Sequence, residues 1–261
     1  MSDFLRAGSV RLEIRRIEPA AEGMPVLVFL HEGLGAVSLW KDFPDRLARA
    51  TGCGALIYSR AGYGRSDPAP LPRPVRFMHD EAALLPEILD AAGIHDFILV
   101  GHSDGASISL IYAGSITAKG LRGAILEAPH VFTEPHGLAS IARAKTAYET
   151  SDLREKLARH HGENVDIAFR GWNDIWLDPE FRAWNLEEYL PAIRVPLLIL
   201  QGVDDEYGTW EQVEAIARQS GGPVEALALP DCGHSPHREQ PERTLEAMAG
   251  FVRSLLSASP P

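Results

Sequence analysis

Cysteine is scarce in this chain. Only Cys53 and Cys232 occur among 261 residues, too few for a disulfide scaffold, and in the absence of a secretion signal two reduced, partly buried thiols are expected. Basic clusters are scarcer still. Nothing longer than Arg15-Arg16 stands against a formal net charge of −11, which argues against nucleic acid as a partner. The stretch Met1 to Val10 carries Asp3 and no apolar core, so neither a signal peptide nor a spanning helix is expected, and the expected setting is cytoplasmic, with no membrane partner. No CxxC, HExxH or acidic calcium loop occurs, and neither a metal site nor a cofactor is expected. Internal repeats and low-complexity tracts are also missing, apart from a Pro-ending tail at residues 257–261 that is expected to fray.

What is present is ordinary globular composition, 45% hydrophobic and 23% charged, at a length that suits one large α/β domain with an insertion. The chain is organised around Phe97-Ile98-Leu99-Val100-Gly101-His102-Ser103-Asp104-Gly105-Ala106-Ser107. The apolar run reads as a buried parallel strand, and Ala106 to Tyr112 keeps apolar residues at helical spacing. Between them lies G-x-S-x-G, in the strand-turn-helix setting that a nucleophile elbow requires: Gly101 and Gly105 permit close approach, so Ser103 can sit in a strained turn with its hydroxyl exposed. The motif alone is weak, and partners must come from elsewhere in the chain.

Upstream, Val10 to Ile17 alternates apolar and charged residues, as a half-exposed edge strand does, after a short first strand within Asp3 to Arg6. Pro25 to Leu30 is solidly apolar and reads as an interior strand. It runs into His31-Glu32-Gly33-Leu34-Gly35 and a helix around Trp40 to Ala50, followed by a strand at Gly54 to Tyr58 and a Gly/Pro loop from Ser59 to Pro68. A helix is expected over Phe77 to Ala92, ended by Gly93, and a further strand over Leu121 to Leu126. From Val131 to Ala192 no strand is evident, and large aromatics are frequent: Tyr148, Phe169, Trp172, Trp176, Phe181, Trp184 and Tyr189. Strands resume at Pro196 to Gln201 and Val224 to Leu229, and an amphipathic helix closes the chain from Gln240 to Leu256. Alternating strands and helices predict a mostly parallel sheet covered on both sides. An all-helical insertion between two such halves suits a lid, giving a core of residues 1–130 and 193–261 and a helical cap of residues 131–192.

With these residues in hand, the chain resembles the α/β-hydrolase family, as a serine-nucleophile member with a helical cap inserted after the sixth strand. The resemblance implies that an elbow serine, an acid after the seventh strand and a histidine after the eighth meet over the C-terminal edge of the sheet. Ser103, the Gly202-Val203-Asp204-Asp205 segment and the Asp231-Cys232-Gly233-His234 segment fall in that order. His234 would take the serine proton, and a buried carboxylate would fix the imidazole tautomer. Asp205 matches the family's G-x-x-D position and is preferred over Asp204 and over Glu127. An oxyanion needs two N–H donors, of which Asp104 would supply one and Gly33 the other, with Leu34 in reserve.

Here the chain departs from the family, which has glycine where Glu32 stands. A carboxylate near a developing negative charge raises the barrier unless it is turned away or neutralised. Asp104 raises the same concern. Two readings stay open: one of the two side chains, Asp104 before Glu32, binds a cationic or hydroxyl-bearing substrate group, or both are held in salt bridges. His31 and His102 are expected in structural roles, His237 on a solvated surface, and His130 near the site. Trp172 and Trp176 are candidates for the pocket wall.

Serine at the elbow argues against the epoxide-hydrolase and dehalogenase chemistry of related folds, which use aspartate there. The expected activity is cleavage of a small-to-medium carboxylic ester, lactone or thioester through an acyl-enzyme. Alternatives are a carbon–carbon hydrolase, which would need a cap arginine such as Arg143, Arg170 or Arg182 in the cavity, a cofactor-free oxygenase, and a non-catalytic ligand-binding protein. The expected partner is a small-molecule substrate, with a homodimer left open.

Overall fold

The computed structural model describes residues 3–115 and 119–257. The tail expected to fray therefore lies outside the described residues from 258 onward. Strands β1 (Asp3–Ala7) and β2 (Val10–Ile17) form an antiparallel hairpin, and β2 lies antiparallel to β4 (Gly54–Tyr58). All further pairings, among β3 (Val26–Leu30), β4, β5 (Phe97–His102), β6 (Leu121–Glu127), β7 (Leu197–Gly202) and β8 (Val224–Leu229), are parallel. The eight strands form one sheet in the order β1-β2-β4-β3-β5-β6-β7-β8. This is the α/β-hydrolase fold expected from the sequence.

The unbroken apolar runs follow from burial on both faces. Val28, Leu30, Leu99 and Leu126 join the core formed with helices α2 (Phe77–Ala92) and α3 (Asp104–Ser115). Their alternate neighbours Leu27, Phe29, Ile98, Val100 and Ile125 pack with α1 (Phe43–Thr51) and α9 (Pro241–Ser257) on the other side. The helix expected from Trp40 starts later. A short 3₁₀ turn, Val37–Trp40, precedes it, and Lys41 at φ 52° separates the two.

Between β6 and β7 lie α4 (Pro135–Thr150), α5 (Leu153–His161) and α6 (Val165–Trp176), with short 3₁₀ turns after them, then a return to the sheet. One isolated antiparallel bridge, Phe132 to Asn185, closes the base of this segment. Pro179 lies beyond the end of α6, so Trp184 does not share a helix with Trp172 and Trp176. Trp184 instead stacks on Phe181 at 5.1 Å, and Phe181 stacks on Phe77 of α2, tying the segment to the core. Beyond the sheet, α7 (Trp210–Gln219) follows β7, and the short α8 (Pro236–Glu239) follows β8.

Parallel register brings the ends of β3, β5 and β6 side by side, with Leu30 opposite Gly101 and His102 opposite Glu127. There α3 crosses β3 so closely that a Cβ on Gly105 would lie 2.0 Å from the Leu30 carbonyl oxygen. Backbone cannot yield as a flexible side chain would. Gly105→Ala is therefore expected to destabilise the protein by about 3 kcal/mol, toward the upper end of overpacking costs, measured by urea unfolding. An unchanged midpoint would contradict the packing described.

Candidate active site

Ser103 occupies the turn between β5 and α3 with φ 52°, a left-handed conformation uncommon for a residue with a side chain. The turn is held by its neighbours. Its N–H donates to the Glu127 carbonyl at 2.9 Å, and its own carbonyl accepts from Ala106 and Ser107. Its side chain faces a cavity of about 220 Å³, which is also lined by His234. No hydrogen bond joins Ser103 to His234 among the described residues, and such bonds commonly tighten only when substrate is bound.

His234 and Asp205 are paired directly. Nδ1 of the imidazole lies 2.9 Å from each carboxylate oxygen of Asp205, so Nδ1 carries a proton and Nε2 is left as the basic nitrogen. Asp205 also accepts from the N–H groups of Tyr207 and Gly208, and from Gln201 Nε2 at 2.7 Å. Burial works to raise its carboxyl, yet His234 and then the Tyr207 N–H hold it well below the usual carboxylate range. Asp204 is exposed, and Glu127 faces a different histidine, so Asp205 is the carboxylate that meets His234. Gln201 was not anticipated. The only sign of it in the sequence is a polar residue closing the apolar run Leu197 to Leu200.

The loop after β3 carries the other expected donors. Buried Arg60 clamps it, its guanidinium donating to the carbonyls of His31 at 2.9 Å and Glu32 at 3.1 Å, while its backbone N–H donates to His31 Nε2. His31 Nδ1 then donates to the Glu32 carbonyl at 2.7 Å. Burial, followed by Arg60, keeps this imidazole neutral by lowering its pKa. With those carbonyls turned toward Arg60, the N–H groups of Gly33, Leu34 and Asp104 have no internal acceptor among the described residues. Gly33 must lack a side chain, because a Cβ there would lie 2.1 Å from the Trp172 ring.

The two carboxylates beside these amides have separate surroundings. Asp104 is fully buried and does not line the cavity. It accepts from Trp176 Nε1 at 3.2 Å and lies 3.6 Å from Arg60. Burial pushes its carboxyl upward against the pull of Arg60. The reading that Asp104 touches substrate is therefore replaced by a buried ion pair. Glu32 does line the cavity, and its Oε2 lies 3.5 Å from His102 Nδ1.

His237, expected on the surface, is buried. Its Nδ1 lies 2.6 Å from Glu127 Oε2, and its ring packs on Trp40 at 4.6 Å, because the short α8 turns it inward. His102, Glu127 and His237 bring potential ligand atoms within 4.8 Å of one another. Those groups are already engaged, His237 with Glu127 and His102 with the His234 carbonyl. Both cysteines are free and buried.

The cavity is otherwise apolar and aromatic, walled by Leu34, Leu39, Ile141, Leu157, Trp172, Trp176 and Tyr207, with Gly33, His130 and Arg238. Leu39, Ile141, Leu157, Tyr207 and Arg238 were not anticipated from the sequence. Arg143, Arg170 and Arg182 are exposed and do not line it. Buried His130 stacks edge-on against Trp176 at 5.4 Å. Burial, then the neighbouring His234, lowers its pKa to about 3.

The titration of His130 has a thermodynamic consequence. An unfolded histidine protonates near 6.5, the native one only near 3, so between these values the unfolded state binds more protons and stability falls as pH falls. His130→Gln is expected to flatten the dependence of unfolding free energy on pH between 6 and 4 by up to one proton, read by urea unfolding across that range. An unaltered slope would contradict a buried neutral imidazole.

A family model described as alpha/beta hydrolase family matches residues 27–247. A search of curated protein sequences finds no match. Among solved structures, an esterase from Exiguobacterium antarcticum superposes with TM-score 0.74 at 19% identity, covering 97% of this chain and 100% of that one. A thermophilic esterase from Thermogutta terrifontis gives 0.70 at 21%, covering 98% and 99%. A structure described as an epoxide hydrolase from metagenomes of hot environments gives 0.73 at 20%, covering 97% and 98%. At these identities the structural neighbours share the fold. The family model spans most of the sequence, and this chain belongs to the alpha/beta hydrolase family.

Proposed function

We propose that this protein is a serine hydrolase that cleaves a small-to-medium carboxylic ester, lactone or thioester through an acyl-enzyme. The observation that carries the reading is the His234 imidazole, hydrogen-bonded at 2.9 Å to Asp205 and facing the same cavity as the Ser103 hydroxyl on its strained turn. In this reading Ser103 Oγ attacks the acyl carbon while His234 Nε2 takes the hydroxyl proton. The anion that forms is met by the N–H groups of Gly33 and Asp104. The imidazolium then returns its proton to the leaving group, and a water deprotonated by the same nitrogen releases the acid. Two neighbouring structures described as esterases are compatible with this chemistry.

A cavity of about 220 Å³ lined by Trp172 and Trp176 suits a short acyl chain or a single ring. For carbon–carbon hydrolysis, the arginines of the helical segment expected to hold a product carboxylate lie away from the cavity, and Arg238 of α8 is the cation that lines it, so a diketone with a carboxylate group belongs in the substrate panel. The substrate is a small molecule, and among the described residues no helix is long and apolar enough to cross a membrane.

The test is a panel of short esters, lactones and acyl thioesters against wild type and Ser103→Ala, with fluorophosphonate labelling. Wild type should hydrolyse at least one class and take the label at Ser103, and Ser103→Ala should lose both. Turnover that survives Ser103→Ala and needs O₂ would point to oxygenase chemistry, and a wild type that neither labels nor turns over would point to a binding protein. Asp205→Asn should lower kcat by about 10⁴-fold through the wrong tautomer, and Asp204→Asn should stay near wild type. The reverse pattern would move the acid to Asp204.

A further inference from the structure

His102 immediately precedes Ser103, and its ring is buried where several loops meet, 1% exposed. Nε2 lies 2.7 Å from the backbone carbonyl oxygen of His234, and a carbonyl only accepts, so Nε2 carries a proton. Nδ1 faces Glu32 Oε2 at 3.5 Å and has no hydrogen-bond partner. A neutral ring protonated at Nε2 would aim its Nδ1 lone pair at that carboxylate, whereas an imidazolium presents N–H to both acceptors. Among the remaining surroundings one group, a carboxylate, favours the charge. Glu127 of β6 lies near, the ring of His234 stands at 5.2 Å, that of His237 of α8 at 5.3 Å, and Trp40 at 6.3 Å. Burial opposes the charge, yet Glu32 and then Glu127 raise the pKa of His102 to about 9. Glu32 in turn is held well below the usual carboxylate range, with burial opposing and His102 prevailing.

We infer that His102 is a positioning residue whose charged ring ties the loop carrying Gly33 and the loop carrying His234 to the turn carrying Ser103, and that it cancels the Glu32 carboxylate beside the oxyanion donors. The inference rests on the serine-hydrolase reading. It answers the question raised by a carboxylate at residue 32, because the amides of Gly33 and Asp104 can meet a developing anion without facing an uncompensated charge. The pair also has a definite pH window. The native pKa lies above the unfolded value near 6.5, so its stabilisation is complete below that pH and is lost as pH rises through about 9. Above it, Glu32 stands unpaired and the alkaline limb of kcat belongs to His102.

Glu32→Gln and His102→Gln, singly and together, test this. With the best ester from the panel, His102→Gln should lower kcat by roughly 10- to 100-fold with KM changed less than about 3-fold, and should abolish the alkaline limb. Glu32→Gln should move that limb about one pH unit or more downward. The double variant should lose no more than the worse single one, because one interaction is removed only once. Additive losses, or an alkaline limb unmoved in Glu32→Gln, would overturn the inference. Should His102→Gln fail to fold, the cavity-facing Glu32→Gln still decides. Nitrogen NMR of labelled histidines reads the charge without turnover: His102 should titrate near 9 in wild type and lower in Glu32→Gln. A neutral His102 at pH 7 with ester turnover intact would overturn the positioning role alone. Absence of turnover with the titration intact would overturn the hydrolase reading, and the positioning role with it.

Discussion

The approach of α3 to the tip of β3 is the constraint on which the rest of the site depends. With Gly105 against the Leu30 carbonyl and Gly101 against the backbone of Gly105 and Ala106, the chain turns at Ser103 through a left-handed conformation. That strain is held by the Glu127 carbonyl and by the first turn of α3. It fixes the hydroxyl at the cavity and leaves the Asp104 N–H without an internal acceptor. Because β3, β5 and β6 are in parallel register, the loop of Gly33 and the side chain of Glu127 arrive beside the same turn.

Around that turn each buried carboxylate has a basic partner. Asp205 meets His234, Glu32 meets His102, Glu127 meets His237, and Asp104 meets Arg60. An unpaired buried charge would be costly, and removing one member of such a pair commonly costs more than the pair contributes. Several members serve two loops at once. Arg60 joins the carbonyls of the β3 loop to the start of α3, and His102 joins the β5 turn to the backbone of His234. The apolar and aromatic wall above them keeps the local dielectric low, so each pair acts strongly on its neighbours.

Much of this was legible in the sequence. Interior strands such as Phe97 to Val100 announce themselves because burial on both faces leaves only apolar residues, and G-x-S-x-G between strand and helix identifies the turn. The choice of Asp205 and His234 beside Ser103 comes from the resemblance to the α/β-hydrolase family, whereas Glu32, Leu34, His130, Trp172 and Trp176, which line the cavity, are named from loops that lead off strand ends or from aromatics in the helical segment. The remainder depends on contacts between distant segments. His237 looks like any polar residue near a chain turn until α8 folds it onto Trp40 and Glu127, and Gln201 looks like a strand end until Asp205 arrives beneath it. Glu32 and Asp104 are indistinguishable in sequence as carboxylates beside the expected N–H donors. Only the path of the chain sends one to Arg60 and the other to His102. The aromatics divide likewise, with Trp172 and Trp176 at the cavity and Trp184 inside the helical segment against Phe181.

In the proposed reaction Ser103 becomes acylated with His234 as its base. The most direct test is rapid-quench intact-mass measurement during turnover of a short activated ester, followed by peptide mapping. A transient gain of one acyl mass is expected on the peptide carrying Ser103, formed far more slowly when His234 is replaced by Gln. Turnover with no adduct on that peptide, or an adduct on a different side chain, would contradict it.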